Sequence, residues 1–333
     1  MESVKYMGNM ESVKYIGNMV NMGNMGNMGN IGNIENIGNI GNIGNIGGIE
    51  EKDKSCYQLE KIEFDGGGVG GDVGGDVGGG GYSGGLLDID ATYIIHLENN
   101  GRLDSVKAQL NKFQPTKNVF ILHNKGYRKC TKEEYINIPA LDLIDAFLYI
   151  FKDAQEKDYK HVLILEDDFI FNDMIRDKMV RQNIMNFINR RNYDIYALGR
   201  IPALQKAYDN NTSISLYGGA CHAMIYSRDC IDKTLQIDRK GIEDWDAFTG
   251  DTFRIYMYNE PLCYQLFPET ENQKYWGKNL FGTIKLKLIK LLKLDVQVEP
   301  GYSIAYIMST ILYGLCVILG VWLFITIFRI KSK

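Results

Sequence analysis

A chain of 333 residues, 45% hydrophobic and with a formal net charge of −4, has room for about two domains. Its acidic balance, with no basic patch interleaved with aromatics upstream of residue 284, excludes a nucleic-acid binder. Six cysteines, at positions 56, 130, 221, 230, 263 and 316, show neither metal-type spacing nor a disulfide framework, which agrees with a reducing compartment.

The first third does not read as a folded domain. Residues 1–9 nearly repeat as 10–18, and Gly-Asn-Met and Gly-Asn-Ile triplets then run to about residue 48. A period of three matches neither helix nor strand and the composition buries no core. Residues 1–50 are therefore expected to be disordered, with a stacked β-solenoid as the alternative. Glu2 and Lys5 lead into these triplets, not into a continuous apolar core, so no signal peptide is expected and translation into the cytosol is. Residues 51–65 are charged and 66–85 carry Gly-Gly-Asp-Val repeats; together 51–87 reads as a charged segment and flexible linker.

Between residues 88 and 282 strand and helix patterns alternate, which predicts an α/β domain with parallel pairing. Strands are expected over 91–97 and 118–123, and amphipathic helices over 103–113 and 140–151. In the latter, Leu141, Ile144, Phe147, Leu148 and Phe151 share a face. Residues 159–171 form an apolar run broken by Glu166-Asp167-Asp168, the pattern of a central covered strand, and ligands gather at the carboxyl ends of such strands. Asp173 is the expected N-cap of the next helix, followed by a strand over 193–198. Tyr217-Gly218-Gly219-Ala220-Cys221-His222-Ala223-Met224-Ile225-Tyr226 reads as a paired-glycine turn, open to close approach by a ligand, running into a strand; 229–236 looks helical.

At the end of the chain, Ile284, Leu288, Leu291 and Leu292 fall on one helical face with Lys287, Lys290 and Lys293 opposite. Residues 283–299 therefore read as a basic amphipathic segment lying against an anionic leaflet, or else as a surface helix packed on the domain. Residues 302–328 hold no charge, and their 27 positions span roughly 40 Å as a helix, enough to cross a bilayer. A basic tail, 329–333, follows. The chain reads as tail-anchored and single-pass, with the domain on the cytosolic side because of its basic flank over 285–293 and the missing signal peptide. The sequons at Asn210 and Asn211 matter only for a luminal domain.

On an extended backbone Glu166 and Asp168 share a face while Asp167 turns away. Two carboxylates held together raise each other's pKa unless a cation intervenes, and hard oxygen donors suit Mn²⁺ or Mg²⁺ bridging to phosphate. The alternative is a solvated turn. His222 can complete such a metal shell or be a hydrogen-bonded core histidine. Residues 241–251 offer Asp244 and Asp246 as candidate general bases, with Trp245 or Phe248 available to stack on a sugar, against the alternative of a solvated acidic turn. Gln265 and Gln273 are candidate polar contacts in a segment that also reads as a surface loop.

Ile94-Ile95-His96-Leu97 with Arg102, then Leu163-Ile164-Leu165-Glu166-Asp167-Asp168, then residues 218–228 and an Asp-rich turn resemble glycosyltransferase family 25, which includes lipopolysaccharide-type and procollagen galactosyltransferases and has similar domains in large DNA viruses. The resemblance covers about residues 93–276. It implies a single GT-A-like nucleotide-sugar-binding domain with a mixed, mostly parallel sheet, and a Mn²⁺-dependent hexosyltransferase, usually inverting, acting on a glycan or glycoprotein acceptor. Metal would be held by Glu166, Asp168 and His222. The donor would be held by His96, Arg102, Asp167, Gly218, Gly219 and Gln265, with Asp246 or Asp244 as base. Where the family's first block usually reads Ile-Asn-Leu followed by several arginines, this chain has His96 and Arg102 alone. The remaining expectations are a host-cell or virion membrane and two other readings of the domain: a catalytically silent scaffold, or a phosphohydrolase.

Overall fold

The computed structural model describes residues 56–64, 84–267 and 280–331. The triplet repeats, the Gly-rich stretch and the expected closing segment with Gln273 lie outside them. In chain order the elements are β1 (Tyr57–Ile62), β2 (Ala91–Leu97), α1 (Leu103–Phe113), β3 (Val119–Asn124), α2 (Pro139–Glu156), β4 (His161–Glu166), β5 (Phe169–Phe171), α3 (Lys178–Arg190), β6 (Ile195–Ala207), β7 (Thr212–Ser227), α4 (Arg228–Leu235), α5 (Trp245–Thr252), β8 (Ile255–Tyr258), β9 (Cys263–Gln265), α6 (Leu280–Leu291) and α7 (Gly301–Lys331).

Seven strands form one mixed sheet in the order β1-β3-β2-β4-β7-β6-β8. Its pairings make β3, β2, β4, β6 and β8 run one way and β1 and β7 the other, so the sheet is mostly parallel by strand direction. Alternation along the central strands feeds two cores. Tyr93, Ile95, Val162 and Ile164 pack with Phe147 and Phe151 of α2 on one face. Ile94, Leu163 and Leu165 pack with Leu110 of α1 and Ile184 and Phe187 of α3 on the other. Covering both faces is what makes these strands apolar throughout. The short β5 leaves the acidic turn and pairs with β9, setting Phe169 opposite Gln265.

Several expectations are corrected. Asn172 caps the short turn at Asp173–Arg176, and Asp177, not Asp173, caps the following helix, accepting from the N–H groups of Met179 and Val180. The glycine pair lies inside β7, opposite Ile201 and Pro202 of β6, and not in a turn. The segment read as a charged lead-in contributes β1, antiparallel to β3. Cys56 is joined to Cys130 by a disulfide, which removes the cysteine argument for a reducing compartment.

The tail is less separate than its sequence suggests. α6 is fixed to the domain through buried Ile289, with Leu292 partly buried against the core, so Leu292 leaves the expected exposed face. Tyr302, Tyr306 and Ser309, in the first turns of α7, are buried against the domain. Gln205 Nε2 donates to the Tyr306 carbonyl and to Thr310 Oγ1, both at 2.7 Å. From Ile311 onward no described residue of α7 is buried. The helix is long and apolar enough to cross a membrane, with a mean hydropathy of 2.6 over its most apolar window.

Candidate active site

A cleft of about 570 Å³ opens at the carboxyl ends of β2 and β4. Glu166, Asp167, Asp168, Arg102, Gln265, Asp244 and Asp246 line it; His96, Gly218, Gly219 and His222 do not.

Asp167 is fully engaged within the protein. Its Oδ2 lies 3.0 Å from His96 Nδ1 and accepts from the Leu97 N–H at 3.1 Å and from Asn100 Nδ2, while Oδ1 accepts from Arg102 Nη1 at 2.9 Å. Burial alone would raise its pKa, but these donors hold it below the usual carboxylate range. Asp167 thereby ties the chain after β2 to the turn after β4. His96 is buried behind it.

Glu166 and Asp168 are in the opposite condition. No described residue hydrogen-bonds the Glu166 carboxyl. Burial, then the charges of Asp168, Asp246 and Asp167, raise its pKa well above normal, with Arg102 opposing. Asp168 accepts from Gln265 Nε2 at 2.9 and 3.0 Å and from Arg102 Nη1 at 3.3 Å. Burial nevertheless pushes its pKa up to about 6 against those donors. The pair thus resists full ionisation unless a cation stands beside it. Hard oxygen donors of this kind fit Mn²⁺ or Mg²⁺, which are held by one or two carboxylates when phosphates complete the shell. Among the described residues no group of three or more His, Cys, Asp or Glu side chains is placed to hold an ion.

His222 does not join that shell. It is buried in the core with Nδ1 2.8 Å from the Ala220 carbonyl and Nε2 3.1 Å from the Cys263 carbonyl. Burial drives its pKa down to about 4, outweighing the pull of both carbonyls. Gly199 makes the room, since a Cβ there would lie 2.2 Å from Nε2.

Asp246 accepts from the N–H groups of Ala220 at 2.8 Å and Cys221 at 3.0 Å. Ala220 reaches this position with a left-handed backbone, φ 63°, costly for a residue with a Cβ. Burial would raise the Asp246 pKa, but Lys285, Cys221 and Arg200 keep it depressed and the group ionised. Asp244 caps α5 by accepting from the Ala247 N–H at 2.8 Å and is exposed. The glycines serve packing: a Cβ on Gly218 would lie 2.6 Å from the Ile201 carbonyl, and one on Gly219 would crowd Asp246 and Lys285.

Two cations here escaped the sequence reading. Arg200 is buried in β6 and donates to Ser215 Oγ, Cys221 Sγ and the Gly218 carbonyl. A single charge inside the apolar run 195–204 was its signal. Lys285 of α6 lines the cleft, although its place in a Lys-Leu repeat suggested only lipid contact or packing on the domain surface.

No family model matches the chain, and no curated protein matches it. Among solved structures it is similar to A197 from STIV, at 16% identity over 54% of this chain and 86% of that one, with a TM-score of 0.32. It is also similar to a glycosyltransferase involved in the glycosylation of the major capsid of PBCV-1, at 10% identity over 49% of this chain and 67% of that one, with a TM-score of 0.27. Likenesses this remote leave the chemistry to the residues themselves.

Proposed function

We propose that the chain is a metal-dependent glycosyltransferase, moving a hexose such as galactose or glucose from a nucleotide-sugar to a glycan or protein acceptor with inversion. The observation that carries the reading is the ionic layout of the cleft: Glu166 and Asp168, destabilised as anions, share it with Asp246 and with Arg102 and Lys285. The Glu166 carboxyl has no hydrogen-bond donor among the described residues, and Asp168 ionises with difficulty despite Gln265 and Arg102. Such a pair suits a ligand that brings its own cation, and a diphosphate does so.

Glu166 and Asp168 would hold Mn²⁺ or Mg²⁺, whose chemistry is to offset charge developing on a leaving diphosphate. Arg102, bridging Asp167 and Asp168, keeps those carboxylates aimed and adds positive charge beside the phosphates. Gln265 fixes the rotamer of Asp168 from β9. Asp246, ionised and anchored by two backbone N–H groups, takes the acceptor hydroxyl proton; Asp244 is occupied as a cap. Trp245 lines the cleft but is largely buried, its ring stacked on Phe147 and its Nε1 donating to Tyr226 Oη.

The test is nucleoside diphosphate release from a panel of nucleotide-sugars by the purified full chain in detergent, with Mn²⁺ and with chelator. Metal-dependent release, lost in Asp168→Asn, is expected. Inorganic phosphate as the product would make it a phosphohydrolase, and no turnover of any donor would leave a silent scaffold.

A further inference from the structure

The membrane helix and the cleft share side chains. Tyr302, in the first turn of α7, accepts from the Gln265 N–H at 2.9 Å and donates to the Gln265 carbonyl at 3.1 Å, and the side chain of that same glutamine holds Asp168. On the neighbouring wall, α6 sends Lys285 into the cleft. The same helix exposes Ile284, Leu288 and Leu291, the last at 75%, together with Lys287 and Lys290, and Lys293, just past its end, is exposed as well.

Lengths fix how far the cleft stands from the bilayer. Residues 311–328, the uncharged part of α7 with nothing buried, number 18 and rise roughly 27 Å, close to a hydrocarbon core of about 30 Å, with Arg329 and Lys331 left for the far interface. The packed stretch from Tyr302 to Thr310 adds only about 12 Å, and Asp168 lies one glutamine side chain beyond Tyr302. The carboxylates are thus on the order of 10 to 20 Å outside the hydrocarbon, a headgroup layer being about 5 to 7 Å thick. Nor can the cleft swing away, because the first turns of α7 are packed into the domain with no linker between. An apolar stripe flanked by lysines, continuous with a membrane helix, fits an anionic leaflet.

We infer that the acceptor is membrane-borne: a hydroxyl on the headgroup glycan of a lipid in the leaflet on which α6 rests. This rests on the glycosyltransferase reading and names its substrate class. A soluble acceptor gains nothing from a cleft fixed at the bilayer surface, whereas a lipid confined there is presented at a high effective concentration.

The test uses the full chain reconstituted in vesicles of total lipid from the expressing cell, supplied with tritiated nucleotide-hexoses. Label is then sorted into lipid extract, protein and free sugar. Label in the lipid extract is expected. Inserting seven polar helix-forming residues between Thr310 and Ile311 lifts the cleft by about 10 Å; it should lower lipid labelling at least about tenfold while donor turnover in detergent stays within about twofold. Reversing charge at Lys287, Lys290 and Lys293 should weaken lipid labelling in the same selective way. Label confined to protein or free sugar, or lipid labelling indifferent to the insertion, overturns the inference and leaves the glycosyltransferase reading standing. No donor turnover in detergent overturns that reading itself.

Discussion

Glu166, at the wall of the cleft, must ionise against the cost of burial and beside Asp168, Asp246 and Asp167, with only Arg102 opposing. A raised folded-state pKa means that the stabilising proton is bound at low pH and lost as pH rises through that pKa, so the anion costs stability at neutral pH. Glu166→Gln should therefore raise stability at pH 7 by on the order of 1 kcal/mol, read as a higher melting temperature. Metal-dependent donor turnover should be lost at the same time. A lowered melting temperature would mean that the carboxylate is held by partners and is structural. His222 has the opposite sign. Its folded pKa of about 4 lies below the usual histidine value, so its contribution is complete above about pH 6.5 and is lost as pH falls toward 4, by at most about 3 kcal/mol. Denaturant titrations of His222→Asn and the parent across that window should converge as pH falls. Parallel curves would show that His222 does not titrate on unfolding.

At the scale of elements, the base of α7 belongs to the domain. Tyr302 is fully buried, Leu294 and Ile289 nearly so, and the Leu294 carbonyl accepts from the Phe267 N–H. Ending the chain after Thr283 removes all three apolar side chains at roughly 1.5 to 3 kcal/mol each and strips Gln265 of its backbone partner. That loss rivals the stability of a whole domain. The shortened chain should aggregate or melt well below the parent, while one ending after Leu312 should be better behaved in detergent-free buffer and keep donor turnover. Equal melting temperatures for the two would show that the tail is only an anchor. The sequence conceals this because Tyr302 lies in an uncharged run that reads as all membrane. Elements with local periodicity were legible: the helix at 103–113 was read to the residue, and the apolar run closed by Glu166 was read as a central strand. Features set by distant partners were not. Gly218 and Gly219 look like a turn until β6 is laid beside them. His222 stays open between metal ligand and hydrogen-bonded core histidine until the Cys263 carbonyl arrives from 41 residues away.

For the whole molecule, the open question of organisation is where the folded unit begins. β1 is an edge strand, yet Tyr57 is buried and donates to Asp145 Oδ2 at 2.6 Å. Its ring lies 4.0 Å from the buried ammonium of Lys132, which also pairs with Asp142 and Asp145. The adjoining disulfide ties Cys56 to Cys130, 74 residues away, in the loop whose Arg128 and Lys129 border the cleft. Closing a loop of that length stabilises by up to about 4 kcal/mol in the chain-entropy view, and a buried cation that loses a partner adds to the cost of removal. For the Gly/Asn triplets, which lie outside the described residues, the expectation from composition is that they do not offset an ordering cost of roughly 1 to 2 kcal/mol per residue. Deleting residues 1–50 should thus leave the melting temperature and donor turnover unchanged. Deleting residues 1–63 should lower the melting temperature by about 10 °C or more and expose residues 125–138 to protease. Cys56→Ser with Cys130→Ser should fall between, keeping β1 but losing the tie. If the longer deletion melts with the parent, β1 is an appendage and the folded unit begins at β2.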